Sequence, residues 1–358
     1  MVKAKVAKKK KAAISSKGVS RTSKKLKAAV IGVGAIGKHH ARNYSQIDNV
    51  DLVAVCDLDS KLGKQIAGAY NTKYYKNYRQ MLQKEKPDLV SICVPTRSHF
   101  SVAKDVIESG VHLLVEKPIT ANVDEGRVLI DEANKKGVKM SVGHIERFNP
   151  VILKLADLID KGRLGTIVSL MVRRAGTIPN RVKDANVIVD IGVHDIDLLN
   201  FLLGKKPENI YASGGRAILR KHEDYADIFL EYPAHKNGLR VTGHIQVNWI
   251  TPVKIRKLNI TGTKAYAVLN LITQDLILFN TDYTQEFDDF EDFVGKFKES
   301  RGVKIPVEIK EPLTLQLEKF IASIIDNTDV FVSPEDALWA LRLAHTATEQ
   351  IRIKDNRI

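Results

Sequence analysis

Lys27-Ala28-Ala29-Val30-Ile31-Gly32-Val33-Gly34-Ala35-Ile36-Gly37 decides the fold, together with the helical-looking stretch after it and the second apolar run Leu52–Cys56 that ends on Asp57. The order is strand, glycine turn, helix, strand, acid. Each glycine has a separate physical job in that order. Gly32 makes the tight turn out of the strand, Gly34 lacks the Cβ that would keep a pyrophosphate off the backbone, and Gly37 lets the helix lie close to the sheet. Ala35 and Ile36 sit at the helix start, where free N–H groups and the helix dipole favour a diphosphate. Asp57 follows about 20 residues beyond the last glycine, where a carboxylate accepts both ribose hydroxyls of an adenosine. The same carboxylate repels a 2′-phosphate, so NAD is expected in preference to NADP. A bare glycine turn in a generic α/β domain is the alternative, and the agreement of strand, helix and acid speaks against it.

The chain has 358 residues, which suits two domains. No stretch approaches the roughly 20 apolar residues of a membrane-spanning helix. Cys56 and Cys93 are the only cysteines, both inside apolar runs. They read as buried thiols in a reducing compartment, and two cysteines alone make neither a disulfide framework nor a zinc site. A cytoplasmic location is expected. The net charge of +14 is uneven. Residues 1–27 carry eleven Lys or Arg and no acid, which leaves 45 basic against 42 acidic residues elsewhere. Residues 1–25 have too little apolar surface to offset their ordering entropy, so they read as a disordered basic tail. It is either a solvated extension or a weak contact for polyanions.

From residue 26 to 149, short β-prone runs alternate with helical stretches, the pattern of a doubly wound parallel sheet. After Asn149-Pro150 the character changes. One helix is followed by longer strands joined by Gly, Asn or Pro turns, between Thr166 and Asn270, and two helices close the chain over Pro312–Asn327 and Pro334–Ile353. Residues 150–358 therefore read as an α+β domain on a mostly antiparallel sheet. Thr281–Arg301, acidic and aromatic, reads as a hairpin arm or long loop.

Three clusters could carry chemistry. Pro95-Thr96-Arg97-Ser98-His99 ends a buried strand, where ligands of open α/β sheets bind. Thr96 and His99 are candidate cofactor contacts, and a simple helix cap is the alternative. Glu116-Lys117-Pro118 follows the next strand, at the sheet edge that would face a nicotinamide, though an ordinary charged strand end has the same spacing. Asp190, His194 and Asp197 share one face if the run is helical. A carboxylate beside an imidazole fixes its tautomer and raises its basicity, which suits removal of a proton from an alcohol. Only one histidine stands in that run, and no metal site is expected.

Together these stretches resemble the glucose–fructose oxidoreductase and inositol dehydrogenase family, from Lys27 to Ile353, with Glu116-Lys117-Pro118 the most specific of them. The resemblance implies a Rossmann domain, a second domain on an open sheet that pairs face to face in dimers or tetramers, and a catalytic set of Lys117, Asp190 and His194. Lys117 would polarise the reacting oxygen. His194, with an ordinary pKa near 6.5, would be the general base, oriented by Asp190. Members differ over whether Lys or His moves the proton. Physical chemistry favours His194, since a lysine must lose about three pKa units to serve. Gly143–Pro150 and Pro179-Asn180-Arg181 look like the members that act on nucleotide sugars such as UDP-N-acetylglucosamine. Arg147, Asn149 and Arg181 are the expected substrate contacts, the arginines pairing with a diphosphate. Arg147 as a structural ion-pair residue is the competing reading. A free sugar or inositol is the alternative substrate. A non-catalytic NAD-binding regulator and an imine or tetrapyrrole reductase are the other classes, neither of which needs the Asp190–His194 pair.

Overall fold

The computed structural model describes residues 25–178, 185–280 and 302–355. The basic tail, Pro179-Asn180-Arg181 and the arm Thr281–Arg301 lie outside them, apart from Lys25. Six parallel strands form the first sheet, β1 (Leu26–Ile31), β2 (Val50–Cys56), β3 (Lys73–Tyr75), β4 (Leu89–Ile92), β5 (His112–Val115) and β6 (Met140–Val142). Their order is β3-β2-β1-β4-β5-β6. The order reverses between β1 and β4, the kind of switch point beyond whose strand ends ligands of open α/β sheets bind. Helices α1 (Gly37–Gln46), α2 (Ser60–Ala69), α3 (Tyr78–Glu85), α4 (His99–Glu108) and α5 (Val123–Lys136) connect them. Most ends carry the chemistry expected of them. Asp59 caps α2 by accepting from the N–H groups of Lys61 and Leu62, Asn122 caps α5, and Gly137 closes α5 at φ 65°.

Asn149 caps the next helix, α6 (Pro150–Asp160), whose first residue is a proline that gives up no needed donor. The second sheet then begins with β7 (Ile167–Ala175), followed after α7 (Val193–Leu203) by β8 (Asn209–Gly215), β9 (Tyr225–Tyr232), β10 (Val241–Asn248), β11 (Ile255–Gly262), β12 (Ala265–Asn270), β13 (Asp275–Asn280) and β14 (Val303–Ile305). Its order is β14-β13-β12-β11-β7-β10-β9-β8. The pairing is antiparallel except between β7 and β10, which run parallel at its centre. Strands β13 and β14 extend the sheet beyond the sequence reading. Leu276 and Leu278 of β13 alternate with outward residues, a period too short to stand out from the turn before it.

Alternation places one face of this sheet inward. Leu170, Val172, Ile228, Leu230, Ile245, Val247, Leu258 and Ile260 are buried against Ile152 and Leu155 of α6, Ile196 and Leu199 of α7, and Ala344 and Ala347 of the last helix. The two C-terminal helices, α8 (Pro312–Ile325) and α9 (Pro334–Asp355), tie the layers together. Leu313, Leu317, Phe320 and Ile321 of α8 pack with Ala28, Val30 and Tyr44 of the parallel sheet's own core. Ala337, Leu338 and Leu341 of α9 join the opposite face of that sheet. The segments after β5 and β6 meet the start of α7, where Lys117 reaches Asp190 and His144 lies edge-on to His194.

Candidate active site

The glycine loop has the three environments its spacing implies. Gly32 is at φ 84°, and a Cβ there would lie 2.7 Å from Cys93 O. A Cβ on Gly37 would collide with Gly32 O. At Gly34 nothing lies within 4 Å, so the backbone is open to a ligand. Ala35 and Ile36 are exposed at the first turn of α1, whose start has no side-chain cap. Asp57 accepts the Val33 N–H at 2.8 Å and the Asp59 N–H at 2.9 Å, joining the glycine loop to the end of β2. Open backbone at Gly34, uncapped helix N–H groups and an acid after β2 fit the diphosphate and ribose of a dinucleotide.

The second strand end is stapled by His99. Its Nδ1 lies 2.8 Å from Pro118 O and its Nε2 2.9 Å from Val94 O. The ring is buried, and burial lowers its pKa although both carbonyls act the other way. This corrects the expectation of a direct cofactor contact, because both ring nitrogens are engaged with backbone. His99 instead joins the loop after β4 to the loop after β5. Thr96 is half-buried in the short turn after β4, on the expected edge.

Glu116 and Lys117 follow β5, and the Lys117–Pro118 peptide is cis. Glu116 is set by a chain of buried groups that the sequence reading missed. Tyr44 OH lies 2.8 Å from Ser91 Oγ, Ser91 Oγ lies 2.9 Å from His40 Nδ1, and His40 Nε2 lies 3.0 Å from Glu116 Oε1. Burial would raise the Glu116 pKa, but the His40 bond and charge override it and hold the carboxyl below its ordinary value. The only sequence signal is phase. His40 and Tyr44 are four apart on α1 and face the sheet together.

Lys117 reaches across to the second domain. Its Nζ donates to Asp190 Oδ1 at 2.9 Å and to Asp190 O. Asp190 lies in a π-helical turn, Ile188–Gly192, that runs into α7. The run is helical, as expected, but Asp190 serves Lys117 rather than His194. No side-chain hydrogen bond joins Asp190 to His194 among the described residues. His194 Nδ1 is buried with no hydrogen-bond partner among the described residues. Burial, then the positive charges of Lys117 and Arg174, push the His194 pKa well below 6.5. The expected near-neutral value is therefore corrected, because cations surround the ring instead of a carboxylate. His144, after β6, is a second imidazole edge-on to it, with ring centroids 6.0 Å apart. Among the described residues neither His144 nitrogen has a hydrogen-bond partner, and Nδ1 stands 3.8 Å from Asp197 Oδ2. Burial is the main reason its pKa falls below 6.5.

Arg147 and Asn149, expected as substrate contacts, are engaged within the protein instead. Arg147 is buried, with Nε donating to Asp197 Oδ2 at 2.7 Å, Nη2 to Asp197 Oδ1, and Nη1 to Asp336 Oδ2 at 3.2 Å. Its fork is filled by α7 and α9, so it locks the junction. Asn149 is buried at the start of α6, and its Nδ2 donates to Leu271 O at 2.9 Å. Arg181 lies outside the described residues. Among the described residues, no three His, Cys, Asp or Glu side chains converge as a metal site.

Residues 26–144 match the model of an oxidoreductase family with an NAD-binding Rossmann fold, and residues 152–268 match the GFO/IDH/MocA C-terminal domain. The chain belongs to the GFO/IDH/MocA family. It is an oxidoreductase. A UDP-N-acetylglucosamine 3-dehydrogenase of Acidithiobacillus ferrooxidans is 26% identical over 309 residues, spanning 86% of this chain and 91% of that protein. An inositol 2-dehydrogenase of Rhizobium meliloti is 26% identical over 343 residues, spanning 91% and 96%. A solved structure of a UDP-N-acetylglucosamine 3-dehydrogenase from Acidithiobacillus ferrooxidans shares the fold, with a TM-score of 0.78 at 24% identity over 92% of this chain and 99% of that one.

Proposed function

We propose that the protein is an NAD-dependent dehydrogenase that oxidises a secondary alcohol of a sugar, with a nucleotide sugar such as UDP-N-acetylglucosamine as substrate and its 3-hydroxyl as the reacting group. The observation that carries the reading is the meeting of Lys117, Asp190, His194 and His144 at the strand ends that face the glycine loop. The length over which the UDP-N-acetylglucosamine 3-dehydrogenase matches supports the substrate class. Bound nicotinamide supplies the hydride acceptor. Gly34, Ala35 and Ile36 hold the diphosphate and Asp57 the ribose, which favours NAD over NADP. Thr96 and Glu116 flank the nicotinamide end.

Lys117, oriented by Asp190, directs its ammonium at the reacting oxygen and stabilises negative charge developing there. His194 is neutral at physiological pH because burial and the neighbouring cations depress its pKa, and as the neutral imidazole at the site it is the proton acceptor of this reading. Glu116, fixed by His40, sets the Lys117 backbone by accepting its N–H at 3.3 Å. Arg181 stays in the proposal as a diphosphate contact on its sequence pattern alone. Free inositol is the second reading, favoured by the inositol 2-dehydrogenase match and by the closure of Arg147 to substrate.

The outer face of the antiparallel sheet exposes Met171, Tyr211 and Phe229 by 52%, 54% and 49%, more than an isolated surface needs. We assign it to a second copy of the chain, as dimer or tetramer. The free thiols Cys56 and Cys93 suit the cytoplasm. Among the described residues, no helix is long and apolar enough to cross a membrane.

The test is NADH formation by purified protein offered UDP-N-acetylglucosamine, UDP-glucose and myo-inositol, each with NAD and with NADP. Turnover of a UDP-sugar with NAD is the expected result. Turnover of inositol alone replaces the substrate and keeps the chemistry. Silence together with failure to bind NAD contradicts the reading.

A further inference from the structure

Three arginines converge at the junction between the sheets, and their forks differ. In Arg147, Nε and Nη2 grip Asp197. In Arg174, Nε lies 2.8 Å from both oxygens of Asp195, Nη2 lies 2.7 Å from Asp195 Oδ1, and Nη1 donates to Glu146 at 2.8 Å. Arg256 stands directly opposite Arg174 in the β11–β7 register. Leu258, Ile260 and Gly262 on the same strand are buried, so Arg256 shares the inward face. Its Nη1 donates to Ala175 O at 2.9 Å and to Ile255 O at 2.7 Å. Those two carbonyls fix the plane of the guanidinium. The Nε–Nη2 edge, the one that holds a carboxylate in both neighbours, makes no hydrogen bond among the described residues.

The edge is open beside the chemistry. Arg256 is half-buried, and its charge acts on His194. The nearby acids Asp195 and Glu146 are already hydrogen-bonded to Arg174. Burial and the like charge of Arg174 pull the Arg256 guanidinium down to about 10, which leaves it a cation at neutral pH with too little compensating charge. An arriving anion offsets both through its opposite charge. A planar fork anchored on one side and open on the other matches the two oxygens of a phosphate or carboxylate.

We propose that Arg256 is the substrate-anion residue of this enzyme, gripping through its Nε–Nη2 edge an oxyanion carried by the sugar. The inference rests on the sugar-dehydrogenase reading and narrows the substrate to an anionic sugar. It gives the role expected of Arg147 to a residue whose fork is available.

The test is calorimetric titration of the NADH-loaded full chain with UDP-N-acetylglucosamine, glucuronate and myo-inositol, comparing wild type, Arg256→Gln and Arg256→Lys. A charged hydrogen-bonded contact of about 1.5–3 kcal/mol corresponds to roughly 10–100-fold in affinity. In Arg256→Gln, affinity for whichever anionic ligand the wild type binds is expected to fall by that factor relative to inositol. Arg256→Lys, which keeps charge and loses the fork, should fall between, and it carries the test if the glutamine variant fails to fold. The anionic ligand that responds separates a phosphate source from a carboxylate source. Equal weakening of all three ligands, no weakening of any, or a wild type that binds neither anion overturns the proposal. Absence of turnover with all three ligands together with failure to bind NAD would remove the sugar-dehydrogenase reading, while selective loss of anion affinity in the variants would still support Arg256 as an anion contact.

Discussion

Two polar clusters lie at the junction of the sheets, and they differ in how completely they are satisfied. Around Arg147 and Arg174, the carboxylates Asp197, Asp336, Asp195 and Glu146 face cations at hydrogen-bonding distance. Around Lys117, the imidazoles of His144 and His194 keep buried nitrogens without partners, and their pKa values are depressed. A buried polar atom without a hydrogen-bond partner costs roughly 1–3 kcal/mol; the first cluster carries one, Arg174 Nη2, which is still ion-paired to Asp195 Oδ1 at 2.7 Å, and the second carries three imidazole nitrogens. Near-saturation by ion pairs marks the joint. Unsatisfied groups mark the place where substrate completes the hydrogen bonding.

The contrast can be broken at either end. Lys117→Met is expected to lower kcat by roughly 10²–10³ with NAD binding retained, as for loss of one preorganised charge contact. Retained kcat would remove Lys117 from the chemistry. Arg147→Met belongs to the saturated cluster, where it strands Asp197 in a buried site, so unfolding free energy should fall by about 3–5 kcal/mol. Denaturant titration checks this. A large rise in KM with unchanged stability would restore Arg147 as a substrate contact.

A gentler probe is pH. Folded His99, His144 and His194 resist protonation, whereas the unfolded chain protonates them near pH 6.5. Below about 6.5 the unfolded state therefore binds more protons, and stability falls as pH falls, by up to about 1.4 kcal/mol per pH unit for each ring. Unfolding midpoints from pH 7.5 downward measure the slope, and a flat profile between 6.5 and 5.5 would contradict the neutral buried rings. Smallest of all, Ser91→Ala removes the link between Tyr44 and His40. It should cost about 1 kcal/mol of stability and lower kcat by less than about tenfold. An unchanged kcat would reduce the His40–Glu116 chain to a purely structural role.

Much of the first sheet was legible because local chemistry and fold agree there. The glycine spacing, Asp57 and the alternation of strands and helices each point to one topology, and the environments of Gly32, Gly34 and Gly37 match the roles read from them. Lys117 and Asp190 were legible as candidates, while their partner choice was not. Sequence spacing suggested Asp190 with His194, four apart, but Lys117 is 73 residues away and competes successfully for the carboxylate. Arg147 carries no mark in the sequence that separates a diphosphate from the Asp197 side chain as partner. Arg256 sits in an unremarkable strand, and only the register that sets it opposite Arg174 gives it meaning.

The most direct test of the contrast is the turnover of His194→Leu, on protein whose unfolding midpoint has been compared with wild type. Leucine removes the unpartnered Nδ1 and fills similar space. The account predicts a midpoint at or above wild type and a kcat lowered by roughly 10²–10⁴. A lowered midpoint with turnover intact would show His194 to be part of the joint, and the chemistry would have to lie elsewhere.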